Sequence, residues 1–222
     1  WSSGSWVETV VPDHTAGLNS ETLPYKLVSN DVDEFTIEEI TYNQKTVGDS
    51  SSNPMPSFVN NKISNMFFFK NRLGFLSNEH VIMSEAGHFY NFFRTTVTSL
   101  LDSDPIDVAV SSGRVTNLKA AKVFQENLVL FSDNTQFVLK GGDILTAKTV
   151  SVSPVTNFSF SDQVEPLPLG SYIYFPFTRG AFTGMREFTV NASTDNYDST
   201  EVTEHVPAYI PKNIIDMSGT TS

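Results

Sequence analysis

The chain has 222 residues, with 25 acidic and 14 basic side chains and a formal net charge of −11. Its aromatic content of 12% and its charged fraction of only 18% exclude gross disorder, because disordered chains are poor in aromatic residues and rich in charge. The absence of cysteine excludes thiol catalysis, disulfides and cysteine-based zinc sites, and the acidic balance argues against a sequence-independent grip on nucleic acid.

Apolar residues along the chain alternate or occur in runs of three to five, bounded by Ser, Asn, Asp, Gly and Pro. This pattern is typical of strands and turns, so we predict a mainly β protein with few short helices. Residues 1–60 are predicted to form an extended, irregular lead-in. It contains strands at 6–11, 25–28 and 35–40 and a loop at 48–57.

A weak internal repeat follows the lead-in. Three predicted hairpins begin at Leu73, Leu128 and Tyr172, which are 55 and 44 residues apart, and a third strand is predicted after the first hairpin at 88–92. Hairpin units that recur about every 40–50 residues are typical of propeller blades. We therefore predict a propeller-like arrangement of antiparallel hairpin blades. A β-sandwich whose hairpins resemble one another is the alternative.

The blades are assigned to residues 61–217, and 218–222 are predicted to be a flexible tail. The run at 66–69 is the longest apolar candidate for a membrane segment, but Lys70 ends it far short of the roughly 18 residues that a span needs. The sequence starts at Trp1 with no signal-peptide pattern. We therefore expect the chain to be an internal fragment of a longer protein.

Two short helices are predicted, at 107–110 and 117–121. In the first, Asp104 is the expected N-cap and Pro105 the first helical residue. The three aspartates within 102–107 also suggest a cation loop, because hard cations bind several oxygens of one loop, yet the spacing of an EF-hand is not met. A solvated turn is the preferred interpretation, with a cation loop as the alternative.

No motif predicts an enzyme. The sequence has no G-x-S-x-G elbow, no phosphate-binding glycine loop and no H-x-x-x-H pattern. Glycosidase chemistry needs two carboxylates at a set separation across a sugar-binding cleft. With 25 acidic residues in the chain some pair always looks suitable, and the sequence alone does not give the distance between them. We therefore predict no catalytic residue, no cofactor and no metal site. The groups weighed were the acidic stretch Asp195, Asp198, Glu201 and Glu204 and the histidines His14, His80, His88 and His205.

Four arginines and one phenylalanine are candidates for a subunit interface. Arginine and aromatic residues are enriched at such interfaces, and cations are few in this chain. The alternative is that each arginine pairs with a carboxylate or packs along aromatic neighbours inside its own chain. The candidates are Arg72, Arg94, Arg179, Arg186 and Phe93.

A series of short motifs extends over roughly residues 20–215. The motifs are 48–49, 53–58, 71–77 (NRLGFLS), 81–89 (VIMSEAGHF), 104–109 (DPIDVA), 130–133, 136–139, 145–146, 173–175, 179–180, 186–187 and 202–207 (VTEHVP). In their identity and order they resemble the tail tubular protein B (nozzle) family of short-tailed phages.

The resemblance implies a structural role in the virion tail, after assembly in the bacterial cytoplasm. It implies propeller-like β domains, a hexameric ring below the tail tubular protein A adaptor ring, docking of tail fibres, and transient contact with the host envelope. Genome DNA would pass through a central channel without specific binding. The net charge of −11 is compatible with such a channel, because each contact of a lysine or arginine with phosphate would add affinity for DNA. The alternative is a glycan-binding or polysaccharide-hydrolysing β domain, which an aromatic-lined groove holding a carboxylate pair would favour.

Overall fold

The computed structural model describes residues 6–12, 17–111, 115–191 and 196–220. These residues form fifteen β-strands and one short 3-10 helix, and every pairing between strands is antiparallel. The predicted mainly β fold is confirmed. The helix is Ser20–Thr22, and the strands are β1 Lys26–Asp31, β2 Glu34–Glu38, β3 Ile63–Phe69, β4 Arg72–Ser77, β5 His80–Met83, β6 Ile106–Ala109, β7 Leu118–Phe124, β8 Asn127–Ser132, β9 Gln136–Lys140, β10 Ser151–Thr156, β11 Leu167–Leu169, β12 Tyr172–Arg179, β13 Phe182–Asn191, β14 Asn196–Glu201 and β15 Ile210–Pro211.

Three consecutive sheets make up most of the molecule. The first contains β3 to β6, the second β7 to β10 and the third β11 to β14, each in chain order, with β15 beside one end of β13. Each sheet is therefore a four-stranded meander, the form of a propeller blade. The three predicted hairpins are confirmed as the central pairs β4–β5, β8–β9 and β12–β13.

The sheets stack face to face because the second sheet is apolar on both sides. Leu128 and Leu130 of β8 belong to the apolar cluster shared with the first sheet. Val129 and Phe131 of the same strand belong to the cluster shared with the third sheet. Successive side chains of a strand point to opposite faces, so one continuous apolar run serves two interfaces. Within the described residues the three sheets do not close into a ring.

The lead-in covers the outer face of the first sheet. Ile40, Tyr42 and Phe58 pack with Phe75 and Ile82 of β4 and β5, and all five are buried. The predicted strands at 25–28 and 35–40 correspond largely to β1 and β2, which pair only with each other, and the predicted loop at 48–57 carries no strand. The domain boundary at residue 60 stays a prediction.

Both predicted helices are wrong. Residues 106–109 form β6, which pairs with β5, and residues 118–124 form β7, which pairs with β8. Each segment lies beside a strand whose edge is otherwise unpaired. Pairing with that strand gives hydrogen-bond partners to more backbone N–H and C=O groups than a single helical turn would. Asp104 caps no helix; its carboxylate instead accepts a hydrogen bond from the backbone N–H of Leu101, at 2.8 Å.

Two predicted strands are also wrong. At 6–11 only Val10 makes a ladder contact, an isolated bridge to Gly48. At 88–92 only His88 does so, opposite Glu85, and the remainder is a loop. The place beside β5 is taken by β6, so the aromatic residues at 89–93 pack onto the sheet from a loop rather than within it.

Candidate functional site

Arg72 is a buried structural clamp. Its side chain is 1% exposed, and its two terminal nitrogens donate to five backbone carbonyls at 2.8 to 3.2 Å. Four of these carbonyls belong to the first sheet and its 102–104 loop, and the fifth, from Leu145, belongs to the connection between β9 and β10. Burial lowers the pKa of the guanidinium, opposed by the nearby Glu85 and Asp104. Arg72 thus ties the first sheet to the second. The five acceptors are Ser84, Asp102, Ser103, Asp104 and Leu145.

Arg94 joins two loops at the edge of the first sheet. Its Nε lies 3.3 Å from the buried carboxylate of Asp104, and its terminal nitrogens donate to the carbonyls of Ser52 and Ser99. The backbone of Arg94 is held by the buried amide of Asn53, which exchanges hydrogen bonds with it in both directions. The guanidinium is about one quarter exposed. Phe93 beside it is buried, with the ammonium of Lys45 5.7 Å from its ring centre.

Arg179 and Arg186 lie on the third sheet around one aromatic ring. Their guanidinium carbons are 5.5 and 4.9 Å from the ring centre of Phe177, and that of Arg186 is also 4.3 Å from the ring of Phe158. Arg179 forms an ion pair with Glu201. No described residue accepts a hydrogen bond from the buried Nε of Arg186. This arrangement is the packing along aromatic neighbours that was the alternative to an interface.

A polar cleft of about 320 Å³ lies where the first strands of the three sheets approach one another. Glu165, just before β11, accepts hydrogen bonds from Asn65 of β3 at 3.0 Å and from the ammonium of Lys122 of β7. The hydrogen bond from Lys122 lowers the pKa of Glu165, with Asn65 acting in the same direction against partial burial. One carboxylate therefore connects all three sheets.

The other polar groups of this cleft also link strands. Lys119 of β7 lies 3.3 Å from Asp162 and 3.8 Å from Asp133. The hydroxyl of Ser64 in β3 donates to the carbonyl of Leu118, at 2.7 Å. The carboxylates that could suggest hydrolytic chemistry are thus engaged with lysines.

The acidic residues and histidines that the sequence offered as candidate catalytic or metal-binding groups do not come together in one site. Asp107 binds His80 at 2.9 Å and the backbone N–H of Ser57, while Asp104 faces Arg94. His88 lies 3.6 Å from Glu85. His14 and Asp195 are outside the described residues. Within the described ranges no group of three or more potential metal ligands occurs, and no helix is long and apolar enough to cross a membrane.

The comparison with known proteins decides the family. A model of the family described as "Bacteriophage nozzle protein" matches residues 1–222. The chain belongs to this family. It is 38% identical over 215 residues to "Tail tubular protein gp12" of Escherichia phage T7. The aligned region covers 96% of the chain and 27% of that relative. The chain thus spans about a quarter of the relative's length, and its role is that of a structural part of a phage tail nozzle.

For this nozzle chain, sequence reasoning singled out the arginines but missed their partners. Among the described residues, Arg72 donates hydrogen bonds to backbone carbonyls alone, and every residue type carries the same carbonyl, so the sequence gives no sign of these partners. Glu165 was overlooked because its partners lie 43 and 100 residues away. The one sequence feature that could have pointed to Glu165 is its place before Pro166 and a short strand, and this feature is only a weak indication of a residue that links sheets.

Proposed function

We propose that this chain is a structural part of a hexameric nozzle at the end of a short phage tail and that it acts without an enzymatic step. The observation that carries the proposal is the nozzle-family match over the whole chain. The fold supports it, since three stacked meanders form a rigid wall in which buried apolar residues fill both inter-sheet layers. A rigid wall suits a part that must hold a channel in shape.

The proposed partners are those of a tail end. Neighbouring copies form the ring, an adaptor ring lies above it, tail fibres dock on its outside, and the assembly meets the host envelope transiently. Of the candidate interface residues, Arg179 and Arg94 make contacts within the chain but keep side chains that are 34% and 24% exposed, which leaves part of each open to a second chain. Arg72 and Phe93 are 1% exposed and offer no surface to a second chain.

The proposed passage of DNA rests on charge. A formal charge of −11 repels phosphate, whereas each lysine or arginine contact would add affinity and slow sliding. We expect the complete protein to show no measurable affinity for double-stranded DNA in a fluorescence anisotropy titration at about 0.15 M salt. Tight, salt-sensitive binding would contradict a channel that DNA passes freely.

The deciding experiment is negative-stain imaging with light-scattering mass on the complete protein, with and without its adaptor ring. Six-fold rings or adaptor-capped assemblies would support the nozzle. A strictly monomeric protein that ignores the adaptor would contradict it. Polysaccharide binding and cleavage are assayed on the same sample, with Glu165→Gln and Asp162→Asn as variants. Sugar cleavage that these variants abolish would favour the glycan-directed alternative instead.

A further inference from the structure

The β1–β2 hairpin carries a bare apolar face. Leu27 and Ile37 are paired across the hairpin, and Phe35 lies on the same face opposite Ser29. Leu27, Phe35 and Ile37 are 66%, 60% and 75% exposed, and Val32 at the turn is 86% exposed. An isolated two-stranded hairpin is marginally stable in water, and exposed apolar patches mark interaction surfaces.

The opposite face of the hairpin carries Val28 among polar side chains that pair within the chain. Lys26 forms an ion pair with Glu38 at 2.9 Å, and the amide of Asn30 donates to the hydroxyl of Thr36 at 3.1 Å. On this face Lys26, Val28 and Thr36 are half-buried, whereas on the other face Leu27, Phe35 and Ile37 are exposed. The polar face is therefore the one turned toward its own chain, and the apolar face is turned away from it.

The hairpin is also strongly acidic. The segment from Lys26 to Glu39 carries five carboxylates and one lysine, a net charge of −4. Asp33 and Glu34, at the turn, are exposed. A surface that covers this hairpin must therefore be apolar at its centre and basic at its border.

The same chain presents such a surface on β3. Met66 and Phe68, two residues apart on one face of this edge strand, are 55% and 54% exposed, and the ring of Phe89 packs 5.0 Å from that of Phe68. Exposed lysines, Lys62 and Lys70, lie immediately before and after the strand. We call Met66, Phe68, Phe89, Lys62 and Lys70 the β3 patch.

We propose that the apolar face of the hairpin docks on the β3 patch of a second copy of this chain. Two different surfaces meet in such a contact, so it is heterologous, and heterologous contacts that close generate rings. Apolar side chains meet apolar side chains, and the acidic turn meets two lysines. The inference rests on the proposed ring and names the surfaces that build it.

The test uses three double variants of the complete protein. The hairpin variant is Phe35→Ser with Ile37→Ser, and the β3 variant is Met66→Ser with Phe68→Ser. The matched control, Val123→Ser with Ile144→Ser, replaces residues that are 46% and 65% exposed elsewhere on the chain. Thermal unfolding of each protein checks that the fold is kept. Light-scattering mass over a concentration series measures assembly.

We expect the hairpin and β3 variants each to need at least tenfold higher concentration to assemble, while the control assembles as the wild type. Mixing the two variants should give a dimer that goes no further. In that mixture one chain supplies an intact hairpin and the other an intact β3 patch, so only one contact forms. Ring formation by either variant at wild-type concentration, or no dimer in the mixture, would overturn the proposal.

A charge exchange gives a second test that keeps the apolar residues. Asp33→Lys with Glu34→Lys should weaken assembly, as should Lys62→Glu with Lys70→Glu, and all four changes in one chain should restore it. Failure of the fourfold variant to restore assembly would overturn the pairing of these surfaces. If the hairpin variant forms normal rings but loses an adaptor or fibre protein, that protein covers the hairpin and the proposal is wrong while the ring stands. A wild type that stays monomeric would remove the ring itself.

Discussion

Phe67 lies across Gly74, its direct partner in the β3–β4 pair, and the ring fills the space where a side chain at position 74 would be. The third sheet repeats the relationship with Phe177 and Gly184 in β12 and β13. In both sheets a glycine lets a cross-strand aromatic ring lie close against the backbone, which is the arrangement called aromatic rescue of glycine in a strand. The two hairpins thus pack by the same means, although their sequences differ.

We expect Gly74→Ala to destabilise the protein by about 1–3 kcal/mol, since an added methyl group overlaps the ring of Phe67 and overpacks the sheet. The shift of the urea unfolding midpoint measures the effect. Gly17→Ala is the control, because the nearest atom to its new methyl group would be Cγ of Gln44 at 3.6 Å, an ordinary contact. A Gly74→Ala protein as stable as the wild type would show that the ring moves aside freely.

Arg72→Met keeps most of the buried aliphatic volume and removes the hydrogen bonds to five carbonyls. Each buried carbonyl left without a donor costs about 1–3 kcal/mol, so we expect a loss of at least about 3 kcal/mol in the free energy of unfolding. Arg72→Lys should recover only part of it, because an ammonium group lacks the planar fork. Urea titration provides the measurement. Lys148→Met, at an exposed position, should leave the midpoint unchanged, and equal effects of both substitutions would contradict the clamp.

Glu165 makes the junction of the three sheets sensitive to acid. Its pKa in the folded chain is lowered, chiefly by the hydrogen bond from Lys122, so its contribution is present above the ordinary glutamate pKa of about 4.3 and is lost as the pH falls through the lower folded value. We expect Glu165→Gln to lower the unfolding midpoint at pH 7. The difference from the wild type should shrink as the pH falls below the ordinary glutamate pKa. The exposed Glu204 provides the control variant Glu204→Gln. A gap that stays constant with pH would rule out this ion pair as the cause.

Tyr42 should titrate at an unusually high pH for a tyrosine. Burial, followed by the nearby Tyr90, raises its pKa to about 12, and its hydroxyl donates to the carbonyl of Pro24 at 3.1 Å. Because the folded value exceeds the unfolded one, the stabilisation is complete below about pH 10 and is lost as the pH rises toward 12. In an ultraviolet absorbance titration at alkaline pH, the Tyr42→Phe variant should lack one tyrosine ionisation step that the wild type shows at high pH. Loss of an early step at about pH 10 instead would place the Tyr42 hydroxyl in contact with water.

The sequence predicted the parts of the fold that depend on local pattern. The hairpins at β4–β5, β8–β9 and β12–β13 follow from apolar runs broken by short polar turns, such as Ser77-Asn78. The outer strands β6 and β7 were missed, because their residues acquire strand geometry only beside an already formed neighbour. In β6 the pattern after Pro105 suited a helix start equally well, and pairing with β5 decided the outcome.

The interface candidates show a similar limit. Because arginines are few in this chain, the sequence alone drew attention to four of them. All four make several contacts in the structure: Arg72, Arg94, Arg179 and Arg186. Whether an arginine faces inward or outward depends on the strand face and on the loops above it, as the burial of Arg72 at a strand start shows. The exposed hairpin face escaped notice because Leu27 and Ile37 look like core residues in a sequence.

The meander order of the strands has a consequence for synthesis of the chain on the ribosome. Each sheet is complete within about fifty consecutive residues, so the first sheet can form before the third has been translated. Until the second sheet emerges, however, none of the earlier residues that the structure describes covers the face of the first sheet that carries Leu76, Val81 and Met83. The nascent protein therefore passes through a stage at which an apolar sheet face is open to water, and that stage ends only when β8 and β9 are made.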